Sequence, residues 1–188
     1  ATPGFLSLYG LDPDIYGQYD VATQHNIQNT VRMEGFDFNY KHALTFLPPW
    51  ARGVQVFANG TTQRRTGALV GNSGFNFFPR SANGGISLTR EKYVARVAWN
   101  YRGIRRGAAV TGASIEPDTY NWTPARTAID LQAEYYFYKR FAVFGNLRNA
   151  TNVTEDTHIY GPSTPGQARF RNRIDYGSLW TFGVKGTF

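Results

Sequence analysis

The chain has no cysteine, one methionine and four lysines, and in its 188 positions no unbroken run of apolar residues is longer than four. Without thiols there is neither a disulfide framework nor a cysteine-ligated zinc or iron–sulfur site, although the redox compartment stays open. The longest apolar runs, Tyr135 to Tyr138 and Phe141 to Phe144, fall far short of the roughly 20 residues a membrane-spanning helix needs. The opening Ala1-Thr2-Pro3-Gly4-Phe5-Leu6 lacks a basic region followed by an apolar core and does not read as a signal peptide; export would be directed elsewhere, or the chain is a piece. Basic residues are scattered and never run longer than two, so the net charge of +7 does not suggest a nucleic-acid surface.

Catalytic patterns are missing as well. His25, His42 and His158 stand far apart, without metal-ligand spacing. Asp130 and Glu134, four positions apart on a strand, would lie about 13 Å apart along one face, too far for a glycosidase pair. Gly71-Asn72-Ser73-Gly74 lacks the spacing of a nucleophile elbow. An enzyme is therefore not expected, and no catalytic residue, metal site or cofactor is assigned.

What the chain does have is 14 Phe, 12 Tyr, 4 Trp and 20 Gly, a composition of strands and turns. Its strongest signal is period-two alternation broken by turn residues. Tyr93, Ala95, Val97, Trp99 and Tyr101 alternate with Arg96, Asn100 and Arg102. Ile129, Leu131, Ala133, Tyr135 and Phe137 alternate with Asp130, Gln132, Glu134 and Tyr136. Trp180, Phe182, Val184 and Phe188 alternate with Thr181, Gly183, Lys185 and Thr187, and Phe36, Phe38, Tyr40, Leu44 and Phe46 alternate with Asp37, Asn39, Lys41 and Thr45. Weaker alternation covers Val54 to Ala58, Ile86 with Leu88, and Phe141 to Leu147. About seven antiparallel strands are predicted.

A soluble sheet alternates too, so the connections have to discriminate. Tight ones at Pro48 to Gly53, Arg90 to Lys92 and Tyr138 to Arg140 alternate with long ones at Thr61 to Arg80, Gly103 to Thr127 and Ala150 to Arg173. Short periplasmic turns, longer extracellular loops and interfacial aromatics are the habit of outer-membrane barrels. Here Trp50, Tyr93, Tyr135, Phe137, Phe141 and Phe188 lie at or near the short-turn side. Arg96, Arg102, Asp130, Glu134 and Lys185 fall on the polar face as lumen charges; an Arg facing lipid at mid-bilayer would cost about 2 to 4 kcal/mol. With Tyr93 and Tyr138 both at the short-turn side, positions summing to about 231 should pair, setting Arg96 opposite Glu134 or Tyr136 and Arg102 near Ala128 or Asp130. Residues 1–32 read as an extracellular loop region and 33–188 as C-terminal barrel strands. Such a segment would not close alone, because bacterial barrels have an even strand number and an unpaired strand exposes backbone groups to lipid.

Several of these pieces, over about residues 20 to 188, resemble the C-terminal part of a TonB-dependent outer-membrane receptor. They are Gly35-Phe36-Asp37-Phe38-Asn39-Tyr40 leading to Leu47-Pro48-Pro49-Trp50-Ala51-Arg52-Gly53, Pro79-Arg80-Ser81-Ala82-Asn83, Ala98-Trp99-Asn100-Tyr101-Arg102-Gly103, Asn146-Leu147-Arg148-Asn149-Ala150-Thr151-Asn152, and Tyr176-Gly177 with the closing Gly183-Val184-Lys185-Gly186-Thr187-Phe188. The resemblance implies a 22-stranded barrel with a plug, a TonB-binding segment ahead of the plug, and energised uptake of a scarce nutrient such as an iron chelate, cobalamin or carbohydrate across the outer membrane of a Gram-negative cell. Plug, TonB-binding segment and about two thirds of such a barrel are not in these 188 residues. Implied partners are outer-membrane lipid, the remaining barrel and plug, TonB and the barrel assembly machinery, whose signal the terminal Trp180, Phe182, Val184 and Phe188 resemble. Loop residues Arg105, Arg106, Tyr120, Trp122 and Tyr160 are the candidate ligand contacts, since aromatic faces stack on sugars and chelates while Arg grips anions. A small outer-membrane barrel serving as adhesin or anchor, and a soluble all-β carbohydrate-binding module, remain the alternatives.

Overall fold

The computed structural model describes residues 2–19, 30–67 and 78–186; His25, Gly71 to Gly74, Thr187 and Phe188 lie outside them. Two units emerge, Ala1–Thr30 and Val31–Phe188. The first, expected as loop, holds two short helices, α1 (Pro3–Leu8) and α2 (Pro13–Tyr16). Each begins with a proline behind a capping side chain: Thr2 Oγ1 accepts from Phe5 N, and Asp12 Oδ1 accepts from Asp14 N.

The second unit is all-β and antiparallel. Its strands are β1 (Val31–Ala43), β2 (Val54–Gly67), β3 (Arg80–Thr89), β4 (Tyr93–Arg102), β5 (Arg105–Ala109), β6 (Tyr120–Thr123), β7 (Arg126–Tyr138), β8 (Phe141–Arg148), β9 (Glu155–Tyr160), β10 (Phe170–Ile174) and β11 (Leu179–Gly186). The first sheet has the order β1-β2-β3-β4-β7-β8-β11, and the second has the order β10-β9-β6-β5. Among the described residues the first sheet is open, with β1 and β11 as its edges. The strands number eleven because the two longest connections fold as hairpins instead of loops. β5 and β6 prolong β4 and β7, and β9 and β10 prolong β8 and β11, so the second sheet repeats the neighbour order of the four strands it extends. These added strands are only four to six residues long and sit among Gly, Pro and Asn, too short for their alternation to stand out.

The connection after β1 is longer than the expected tight turn. β1 stops at Ala43, so Leu44 and Phe46 leave the alternation, and residues 44–53 carry a 3₁₀ turn at Pro49–Ala51. Arg90 fastens this connection to the next turn through the carbonyls of Pro49 and Trp50. Gly53, at φ +88°, closes it against the Thr89 carbonyl, where a Cβ would collide.

The described residues contain almost no core. Leu6, Ala51 and Ala142 are the buried apolar residues, against the single contiguous core usual for a domain of this size. Across the first sheet Tyr40, Val56, Ile86, Val97, Leu131, Val143 and Val184 and their neighbours line one face. Much of that face is open: Phe36 is 66% exposed, Val97 50%, Trp180 61% and Phe182 72%. On the other face lie Asp37, Asn59, Asn83, Asn100, Gln132, Asn146 and Lys185, with Phe57, Val94 and Phe144 as apolar exceptions.

Candidate functional site

Every lumen-charge candidate sits on that polar face. The β4–β7 ladder pairs Tyr93 with Tyr135, so paired positions sum to 228 and not to 231. Arg96 therefore faces Gln132, with Glu134 one step along the same face, and Arg102 faces Arg126. The cause is stagger. β7 overhangs β4 at the short-turn end, where Tyr136 N donates to Lys92 O and the register shifts between Tyr136 and Tyr138.

Each charge then finds a partner two strands away or a local donor. Lys185 Nζ reaches Glu134 Oε2 at 2.5 Å, crossing β8 above the buried Ala142, whose methyl leaves room. Tyr136 Oη also donates to Glu134, and the Lys185 ammonium lies 5.4 Å from the Tyr136 ring centroid. The Arg96 guanidinium lies 4.5 Å from the Phe57 ring centroid, which accounts for an aromatic on the polar face. Between them stands Gly85, where a Cβ would meet Phe57 Cζ at 2.8 Å. Asp130 accepts from Asn100 Nδ2 at 2.8 Å and from the Asn149 N–H at 2.9 Å.

The second sheet separates the five ligand candidates. In register, Arg106 pairs with Trp122, Trp122 with His158, His158 with Phe170, and Tyr120 with Tyr160. These six side chains share a face, and Arg105 stands with Thr123 on the other. Even numbers mark the polar face in β4, β7 and β8, and odd ones in β11. In the second sheet even numbers gather Arg106, Trp122 and His158, joined across the irregularity in β10 by Phe170. Trp122 meets Tyr160 edge-on at 5.9 Å, the Arg106 guanidinium lies 4.5 Å from the Tyr120 centroid, and that of Arg169 4.8 Å from the Tyr160 centroid. Arg105 turns to the Phe78 ring at 4.8 Å, which Arg102 also approaches, and donates to Thr123 Oγ1.

Sequence reasoning missed His158, Arg169 and Phe170. His158 and Phe170 stand in strands of five or six residues, too short to show a period, and Arg169 lies just ahead of β10.

Polar contacts fasten both ends of the β9–β10 hairpin. Asp156 pairs with Arg173 at 2.7 Å, and the hydrogen bonds from that guanidinium hold the Asp156 carboxyl below its usual value. Glu116, between β5 and β6, takes the hydroxyl and backbone N–H of Ser163, between β9 and β10, and these lower its pKa. The two hairpin tips are thereby joined.

Trp180, Phe182 and Val184 of the terminal strand all lie on the exposed apolar face. No family model matches the chain, and no curated protein or solved structure resembles it. Among the described residues no cluster of His, Cys, Asp or Glu could hold a metal ion, and no helix is long and apolar enough to cross a membrane.

Proposed function

We propose that this chain supplies C-terminal strands of the barrel of an outer-membrane active transporter, of the TonB-dependent kind its motifs resemble. Its apolar face lies against lipid, and its polar face looks into a lumen. The observation that carries this reading is the seven-stranded sheet whose apolar face is widely uncovered, while its other face carries a row of amides, the Lys185–Glu134 pair and Arg96 over Phe57. A soluble sheet would bury such a face, because contiguous exposed apolar surface of that extent is rare on soluble proteins. β3 and β4 have ten residues each, within the roughly 9 to 11 a tilted spanning strand needs, β1, β2 and β7 run longer at 13 to 14, and β8 and β11 have eight. The free edges at β1 and β11 call for further strands, since an open edge is untenable in hydrocarbon. In this frame Trp180, Phe182, Val184 and Phe188 form the signal read by the assembly machinery.

Two measurements test this. Membranes from expressing cells, washed in alkaline carbonate, should retain the protein until detergent is added. Uptake of a labelled ferric chelate, cobalamin or maltodextrin should fall on deletion and on collapse of the proton gradient. Release by carbonate, or uptake of all three unaffected by deletion, would overturn the reading.

A further inference from the structure

We propose that the aromatic face of the second sheet is a binding site for a ligand that joins a planar ring to a carboxylate or phosphate, with Trp122 as its ring contact and Arg106 and Arg169, seated over Tyr120 and Tyr160, as its anion contacts. This names the substrate class of the transporter and rests on that reading.

The assignment follows from how the arginines differ. Arg126 is paired with Glu155 at 3.1 Å and Arg173 with Asp156 at 2.7 Å, so their charge is already answered. Arg106 and Arg169 have no carboxylate among the described residues. Arg106 lies over Tyr120, and Arg169 lies over Tyr160 with a hydrogen bond to the Thr164 carbonyl. A guanidinium laid over a ring loses freedom about its side chain but keeps its in-plane N–H groups for a bidentate anion. Two such forks flank Trp122, the one tryptophan among the described strands of the second sheet. The joined hairpin tips hold the two arginine-bearing segments together: Glu116 takes Ser163, and Arg171 donates to Asn121. A neutral sugar would use Trp122 and leave both cations unanswered, whereas a small inorganic anion would leave Trp122 unused. A ligand with both features answers the whole face.

The probe is 1-naphthoate, added to the detergent-solubilised protein in equilibrium dialysis. Replacing Arg106→Gln or Arg169→Gln should each weaken binding about tenfold, the loss of one charge-assisted contact. Arg106→Lys, which keeps the charge but not the fork, should weaken it by roughly threefold. Arg105→Gln, on the opposite face, should leave it unchanged. 1-Naphthylmethanol should bind far more weakly, and glucuronate should not compete. Equal losses in Arg105→Gln and Arg106→Gln would mean diffuse charge attraction, and equal binding of the alcohol would mean an apolar patch only; either overturns the proposal. So does competition by glucuronate, which would mark a site for sugar acids. A protein that binds naphthoate as described yet washes off membranes in carbonate would sink the transporter reading and leave the site standing. One that transports but fails these variants would do the reverse.

Discussion

Asn149 carries more of the fold than its place in a connection suggests. Its backbone is left-handed at φ +52°, its Nδ2 donates to the carbonyls of Val153 and Gly177, and its Oδ1 accepts from Val153 N. Its N–H reaches Asp130 and its carbonyl takes the Ser178 hydroxyl, so one residue ties β7, β8 and the approach to β11. Asparagine tolerates that conformation better than any residue but glycine. Asn149→Ala removes three hydrogen bonds and strains the backbone, and should cost about 3 kcal/mol in a denaturation measurement; Asn149→Gly, which relieves the strain alone, should fall between. Asp156 supplies a pH-dependent contact at the same scale. Its carboxyl is held below the ordinary value by Arg173, so the contact is complete above the unfolded carboxyl pKa and is lost as pH falls through the lower folded one. Amide resonances along β9 and β10 should therefore shift only on acidification below the usual carboxylate range, and Asp156→Asn should abolish that step.

Between strands, glycine and aromatic residues are matched across the ladder. Gly84 faces Trp99, Gly145 faces Phe182 and Gly183 faces Phe144, each close enough that a Cβ would press on the ring. Gly85 is the tightest of these sites, because a Cβ there would meet the Val97 carbonyl and the Ala98 Cα at 2.9 Å as well as the Phe57 ring. Backbone cannot move aside as a side chain can. Gly85→Ala should destabilise by about 1 to 3 kcal/mol and displace Phe57 from Arg96. Gly166→Ala, with nothing within 4 Å, should be close to neutral. Equal stability of the two variants would show that β3 and β4 pack less closely than described.

At the level of the whole molecule, the two faces of the first sheet make opposite demands. Val97→Arg places a charge in the middle of the apolar face, and Thr181→Arg places one on the polar face opposite Asn146. In a bilayer the first should cost about 2 to 4 kcal/mol, and the second little. For a soluble module, Val97→Arg would instead improve solubility. Folding yield into lipid vesicles, compared for both variants, separates these outcomes. The scarcity of buried apolar residues fits the same division, since stability then comes from ladders, cross-strand pairs and whatever solvates the apolar face.

Alternation alone determined which residues share a face. Successive side chains of a strand point to opposite sides by covalent geometry, and no slip by an even number of residues changes that. Arg96, Asp130, Glu134 and Lys185 accordingly lie on one side, and Val97, Leu131 and Phe182 on the other, as their positions predict. What the sequence could not fix was which residues stand opposite each other. The stagger of β7 against β4 set Arg96 against Gln132 and left Glu134 to Lys185, because register follows from turn geometry and from the ladder as a whole. The same limit hid the second sheet. Its strands are too short to display a period, and they form because β4, β7, β8 and β11 already hold their extensions side by side. Only that pairing could bring Arg106, Trp122, His158 and Phe170, spread over 65 positions of chain, into one row and send Arg105 to the other face.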